Sequence, residues 1–218
     1  IHLIQLHNSI GPTRVSGESI LTPDDAFEVQ DAFKTLQAQG KVSAWGLTAV
    51  GDTDSLHTVI GSGWFNTAQA PYNLLNPSQG GTISDGYPYQ DYQNIVGVAS
   101  AKGMGIIAIR VLAAGALSAT AGRHELASQS PRPIGSGANL VDDVAAAQKF
   151  SFLWEEGYTS SAVEAAIRFV ITHRGVSTAL VGLSSMEQLE YASAAAEKGP
   201  LPGEAMERLQ SIWASFAD

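Results

Sequence analysis

The sequence predicts an α/β fold built on a parallel sheet. Three observations carry that prediction. Strand-like and helix-like segments alternate as β-α-β-α-β-α-β-α-α-β-α-α. Residues 104–112 form a near-continuous apolar run, the pattern of a strand covered on both faces. Helix boundaries are punctuated: Thr22-Pro23-Asp24-Asp25 opens a helix that Gly40 closes, and Gly103 closes another.

Residues 1–6 read as a buried strand that ends at His7. Residues 8–22 read as a loop broken by Gly11-Pro12. Ala26, Val29, Phe33 and Leu36 then share one helical face. Residues 43–48 make a second strand, 53–60 a short helix and 65–70 a third strand. The Gly-, Pro- and Asn-rich segment 71–88 reads as a long loop. Tyr92, Ile95, Val96 and Ala99 mark a helix, and residues 104–112 the fourth strand. Residues 115–138 are small, polar and Pro-rich, so they read as a loop. Residues 141–156 and 160–173 read as helices, 178–181 as a fifth strand, and 185–197 and 201–216 as the last helices. Parallel strands require right-handed crossovers, which leaves an open doubly wound sheet or an arc of a (β/α)8 barrel. No linker divides the chain, so residues 1–218 are expected to form a single domain.

Composition narrows the function classes. With no Cys, disulfides, thiolate chemistry and zinc–thiolate sites are excluded. A net charge of −9 with scattered Lys and Arg argues against nucleic-acid or anionic-membrane partners. No apolar run approaches the roughly 18 residues of a membrane span, and a cytoplasmic location is expected. The five His offer no metal-ligand spacing. No phosphate-binding Walker loop, dinucleotide fingerprint or nucleophile elbow is present.

In either architecture chemistry lies at the carboxyl ends of the strands. Those ends carry His7, Thr48, Gln69, residues 110–112, and Gly182-Leu183-Ser184-Ser185. His7 reads either as a site imidazole or as a solvated strand-end residue. Thr48 and Gln69 read either as site groups or as caps of the loops that follow. Gly182 to Ser185 reads either as an anion-binding helix N-terminus or as an ordinary Ser cap.

Taken together, these motifs resemble the aldo-keto reductase family. The matching stretches are Ile4-Gln5-Leu6-His7-Asn8, residues 40–48 with Trp45-Gly46-Leu47-Thr48, and residues 69–75 with Gln69-Ala70-Pro71-Tyr72-Asn73. Residues 105–108, 112–117 and 181–189 continue the match in order, over about residues 1–210. The resemblance implies a (β/α)8 barrel that binds NADPH, with NADH as the alternative, and moves a hydride between the cofactor and an aldehyde, ketone or sugar. It also implies His7 as the carbonyl-orienting histidine, and Thr48 and Gln69 as contacts of the cofactor carboxamide. Arg110, Leu112, Gly182, Ser184, Ser185 and Gln188 are expected on the rest of the cofactor. Asn8 and Tyr87 are expected on the substrate, with Tyr89 and Arg123 as further loop contacts.

Several positions depart from the family pattern. Thr48-Ala49 stands where Ser-Asn is usual, Ile109-Arg110-Val111 where a stacking aromatic is frequent, and Tyr191-Ala192 where Glu-Asn is frequent. No Lys or Arg lies within residues 182–190, which weakens the case for a 2′-phosphate. His7 matches the family's fourth strand. The expectation is therefore a C-terminal portion of a barrel with about five βα units. Strands one to three and the tetrad's Asp, Tyr and Lys would come from a preceding segment, so this chain alone is expected to be inactive. Open sheet edges would favour oligomerisation. The rival readings are a non-catalytic nucleotide- or partner-binding barrel fragment, and an unrelated barrel hydrolase or isomerase with His7 as base.

Overall fold

The computed structural model describes residues 1–15, 17–118 and 124–217. In chain order its elements begin with β1 (Leu3–Leu6), β2 (Ser9–Ile10), β3 (Ile20–Leu21), α1 (Pro23–Ala38) and β4 (Ala44–Thr48). They continue with α2 (Thr53–Gly61), β5 (Thr67–Pro71), α3 (Ile95–Ala101) and β6 (Gly105–Ile109). Then follow α4 (Leu140–Ala147), α5 (Phe152–Glu155), α6 (Ala162–Thr172), β7 (Thr178–Ala179), α7 (Met186–Glu197) and α8 (Gly203–Ala214). Two 3-10 turns, Ala113–Ser118 and Gln148–Phe150, interrupt the second half.

The main sheet is parallel and runs β1-β4-β5-β6-β7. This order discriminates between the two architectures. A doubly wound sheet reverses its strand order part-way, and here each new strand is added on the same side of the last. Sequential addition through helical crossovers is the (β/α)-barrel arrangement.

Alternation within the strands separates two faces. Leu6, Trp45, Leu47, Ala68, Ala70 and Ile106 are buried against α1, α2 and α3, packing on Phe33, Leu56, Ile60, Ile95 and Val96. A second core joins Ala108 and Val111 to α6 and α8 through Phe169, Val170, Leu209 and Trp213. The opposite face mixes Gln5, Thr48, Thr67 and Gln69 with Ile107 and Ile109, and Gln5 Nε2 crosses it to donate to Thr67 Oγ1 at 3.0 Å. That bond passes over Gly46. A Cβ there would sit 2.1 Å from Thr67 Oγ1, 2.4 Å from Gln5 Oε1 and 2.7 Å from the Thr67 carbonyl oxygen.

Several boundaries differ from the sequence expectation. The fourth sheet strand, β6, ends at Ile109 rather than at residue 112, because Arg110 turns left-handed (φ 58°). Val111 is still buried, so the apolar run continues into the core after the sheet has ended. β1 starts at Leu3 and β7 stops at Ala179, and the apolar Ile1 and Leu180 that flank them are exposed. Residues 141–156 do not form one helix. The 3-10 turn Gln148–Phe150 separates α4 from α5, and Ala147, Phe150 and Leu153 are buried along this stretch at a spacing of three. The 8–22 loop contains the parallel pair β2–β3, too short to leave a periodic signal. The long loop after β5 is buried over residues 71–79 and does not lie open at the surface.

The α1 start is as the sequence predicts. Thr22 caps, Asp25 returns to the Thr22 N–H at 2.9 Å, and Pro23 occupies the first turn. No helix among the described residues is long and apolar enough to cross a membrane.

Candidate functional site

The carboxyl ends of β1, β4 and β5 bring three expected residues into one hydrogen-bonded chain. His7 Nδ1 lies 2.9 Å from Thr48 Oγ1, and Thr48 Oγ1 donates to Gln69 Oε1 at 3.2 Å. The sheet register produces this contact, since Leu6 pairs with Leu47 and Thr48 pairs with Gln69. His7 is exposed, Thr48 is buried and Gln69 is half-buried. The chain fixes the imidazole tautomer. With its proton on Gln69, the Thr48 oxygen accepts from Nδ1–H, and Nε2 is left to face a ligand. Gln69 in turn keeps its amide N–H groups available.

The ends of β6 and β7 build a cavity of about 790 Å³. Arg110, Leu112, Gly182, Ser184 and Gln188 line it; His7, Thr48, Gln69 and Ser185 do not. Its apolar wall comes from Val111, Leu140, Val144, Val163, Leu180 and Val181, and His124, Glu187 and Tyr191 add polar groups. The size falls in the ordinary range for small-molecule and cofactor sites.

Arg110 begins a left-handed stretch of this wall. It is held at φ 58°, followed by Ala113 (φ 45°), Ala114 (φ 58°) and Gly115 (φ 100°). Each non-Gly left-handed residue costs about 1–3 kcal/mol and persists only where neighbours hold it. The holders are visible: Asn73 Nδ2 and Ala113 N–H both donate to the Arg110 carbonyl, at 3.0 and 2.7 Å. Its guanidinium is half-buried, makes no hydrogen bond or ion pair with any described residue, and is pushed down from its usual pKa by burial. A half-desolvated cation at a cavity wall has the chemistry to take an anionic partner.

The turn before α7 is internally satisfied. Ser184 N–H donates to Gln188 Oε1 at 2.7 Å, and the Ser185 hydroxyl accepts from Gln188 N–H at 3.3 Å. The Ser185 hydroxyl and its own backbone N–H hold the Glu187 carboxyl below the usual range, and His124 adds to that pull. Tyr191, on the cavity wall, hydrogen-bonds Ser160 and Ser161 near the start of α6. Asp143 positions the opposite wall, accepting from Ser136 Oγ (2.7 Å) and Gly137 N (2.8 Å). Burial pushes its pKa up against those two hydrogen bonds.

The remaining expected residues lie elsewhere. Asn8 donates to Ser19 Oγ at 2.7 Å beside a shallower hollow lined by Arg14, Val15 and Glu18. The Tyr87 hydroxyl donates to the Leu75 carbonyl, and its ring packs on Tyr89 and Phe216. Arg123 falls outside the described residues. His57 and His173 are engaged by the Tyr92 and Gly80 carbonyls. Among the described residues no cluster of His, Asp or Glu could hold a metal. Sequence reasoning missed Asn73 as the support of Arg110, and Glu187 as a lining carboxylate. Asn73 lies within a matched motif, which was the available signal.

The model of the aldo/keto reductase family matches residues 1–214. Among solved structures, an aldo-keto reductase from Bacillus halodurans superposes with a TM-score of 0.63 at 18% identity, covering 97% of this chain and 62% of that one. A glycerol dehydrogenase from Gluconobacter oxydans gives 0.62 at 21% identity, covering 99% and 59%. An aldo/keto reductase from Klebsiella pneumoniae in complex with NADP and acetate gives 0.61 at 16%, covering 98% and 59%. The chain thus spans about three fifths of the length of these structures. A search of curated proteins finds no match.

Proposed function

The chain belongs to the aldo/keto reductase family, and from that premise we propose that it serves hydride transfer between a nicotinamide dinucleotide and a small carbonyl compound or alcohol. The observation that carries this reading is the His7–Thr48–Gln69 chain across three adjacent strand ends, on the same edge of the sheet as the Arg110 cavity. When bound, the dinucleotide supplies or takes up the hydride. The residues present fit such a group. Arg110, which no described residue pairs, offers a cation for a pyrophosphate, Leu112 and Gly182 line the apolar cavity, and Gln69 offers amide donors for a carboxamide. NADP and NADPH accompany the Klebsiella relatives, which supports a nicotinamide cofactor here.

His7 orients the reacting oxygen through Nε2. A neutral ring accepts from an alcohol hydroxyl, and a protonated ring donates to a carbonyl. No described Tyr hydrogen-bonds His7 or Thr48, so the reading assigns no proton donor. Tyr72, next after β5, packs on Phe169 and His173. That observation favours a second reading, a barrel that binds nucleotide without turnover.

Fluorescence titration with NADPH and NADH, followed by carbonyl-dependent cofactor oxidation, separates the readings. In the complete enzyme binding with turnover is expected, and His7→Ala there should lower kcat/KM roughly 100-fold while leaving cofactor affinity nearly unchanged. Binding without turnover selects the second reading. Unchanged kinetics in the variant would remove His7 from the site, and no binding of either cofactor would overturn the proposal.

A further inference from the structure

Asp143 is a buried carboxylate without a cation. The residue is 1% exposed and accepts from Ser136 Oγ at 2.7 Å and from Gly137 N–H at 2.8 Å. Among the described residues no Lys, Arg or His forms an ion pair with it. The titratable groups around it do not balance its charge. Asp142, beside it on α4, repels it, and Tyr87 and Tyr89 approach from the loop after β5. Burial pushes both tyrosines up, so they stay neutral. Lys149, further along the chain, turns to the Ser215 carbonyl and the Phe216 ring, and Arg132 is exposed.

Asp143 fastens the segment 131–137, which has no regular secondary structure. Pro131 of that segment lines the large cavity, as do Leu140 and Val144 of α4. The segment lies close against its supports. A Cβ at Gly137 would sit 2.8 Å from Asp143 Oδ1, and one at Gly135 would sit 2.8 Å from the Tyr92 hydroxyl oxygen. Asn76 Nδ2 donates to the Gly135 carbonyl. Two groups oppose the fastening. The carboxylate is out of water without a counter-charge, and the Tyr92 hydroxyl is buried with no hydrogen-bond partner among the described residues. A proton on Asp143 removes the first of these. The neutral carboxyl still accepts from Gly137 through one oxygen and donates to Ser136 Oγ through the other. Released into water, the same group is fully hydrated as an anion. The fastened arrangement thus prefers the proton and the released one prefers the charge, in line with the upward push that burial gives Asp143.

We propose that Asp143 is a proton-operated latch on the cavity wall, which fastens the segment 131–137 with uptake of a proton and loosens it as the carboxylate ionises. The latch does not depend on what the cavity binds. Linkage fixes its sign. The fastened state is favoured at low pH, loses that advantage as pH rises from the ordinary carboxylate range through its own raised value, and then levels off. Acid weakening of the whole fold has the opposite sign.

The test is amide hydrogen exchange at Gly137, followed by NMR between about pH 4 and pH 8, with each rate divided by the intrinsic rate at that pH. Amides of β5 serve as the reference. In wild type the protection of Gly137 is expected to fall roughly threefold or more as pH rises, relative to β5. Asp143→Asn cannot ionise and keeps both an acceptor and a donor, so it should stay protected with a flat profile. Asp143→Ala removes the fastening, so Gly137 should exchange fast at every pH. A wild-type profile that is flat or rises with pH would overturn the latch. So would a wild-type slope in the Asn variant, or wild-type protection in the Ala variant. Circular dichroism checks that each variant folds, and if the Ala variant does not, the wild-type and Asn profiles decide between them.

Discussion

At Gly46 an absent side chain makes room for a hydrogen bond. Gln5 and Thr67 meet across the position, and any Cβ would press on the Thr67 backbone as well as on two side chains. The side chains could turn away, but the carbonyl at 2.7 Å could not move without disturbing the β4–β5 ladder. Gly46→Ala is therefore expected to cost about 1–3 kcal/mol by urea unfolding, and an unchanged midpoint would show that the ladder can shift. The candidate site residues of this sheet edge were legible in the sequence because strand ends are few and carry unlike chemistry. His7, Thr48 and Gln69 follow from three strand boundaries, and the register then joins them. The strain at Arg110 was not legible. Nothing in Ile109-Arg110-Val111 announces a left-handed residue, because the Asn73 amide that holds it lies far back in the sequence.

The α6 helix carries an ion network that ties its neighbours together. Glu164 has a side chain 2% exposed and bonds Arg168 at 2.9 Å, Lys198 at 2.6 Å and Ser160 Oγ at 2.5 Å. Arg168 also donates to the Tyr158, Gly199 and Pro200 carbonyls, so one guanidinium fastens the segments on both sides of α6 and α7. Desolvation pushes the Glu164 pKa up, but the bonds from Lys198, Ser160 and Arg168 outweigh it and bring it down to about 2. A depressed carboxyl stabilises the fold above its unfolded pKa, and that stability is lost as pH falls through the folded value. Wild type should therefore lose of the order of 3 kcal/mol between roughly pH 5 and pH 2 through this group. Glu164→Gln should be less stable at neutral pH and show less of that acid loss, as read by denaturant unfolding at a series of pH values. Equal acid sensitivity would place the charge elsewhere. At this scale the caps were readable and the ends of β6 and β7 were not. Thr22 and Ser185 each cap a helix in the structure. The apolar runs around β6 and β7 extend beyond the ladder, since Val111 serves the core and Leu180 and Val181 line the cavity.

Across the whole molecule, the central strands and the edges differ in what protects them. β5 is paired on both sides, to β4 and β6, and its Ala68 and Ala70 are fully buried. β1 and β7 are each paired on one side, and β7 contributes two residues to the ladder. Native-state hydrogen exchange should show the slowest amides in β5 and β6 and faster exchange in β1 and β7. Uniform protection would contradict this ranking. The strand order itself settled what periodicity left open, because an apolar run shows that a strand is buried without showing which strand lies beside it.

That order has a consequence for how the chain reaches its structure. Every strand of the main sheet lies beside the one made just before it, so no late segment has to be threaded between two that have already met. The loops to be closed are those of single crossovers, and contact order stays low for a parallel sheet. As the polypeptide leaves the ribosome, each βα unit can dock on a template already in place, and assembly can advance from the first strand to the last.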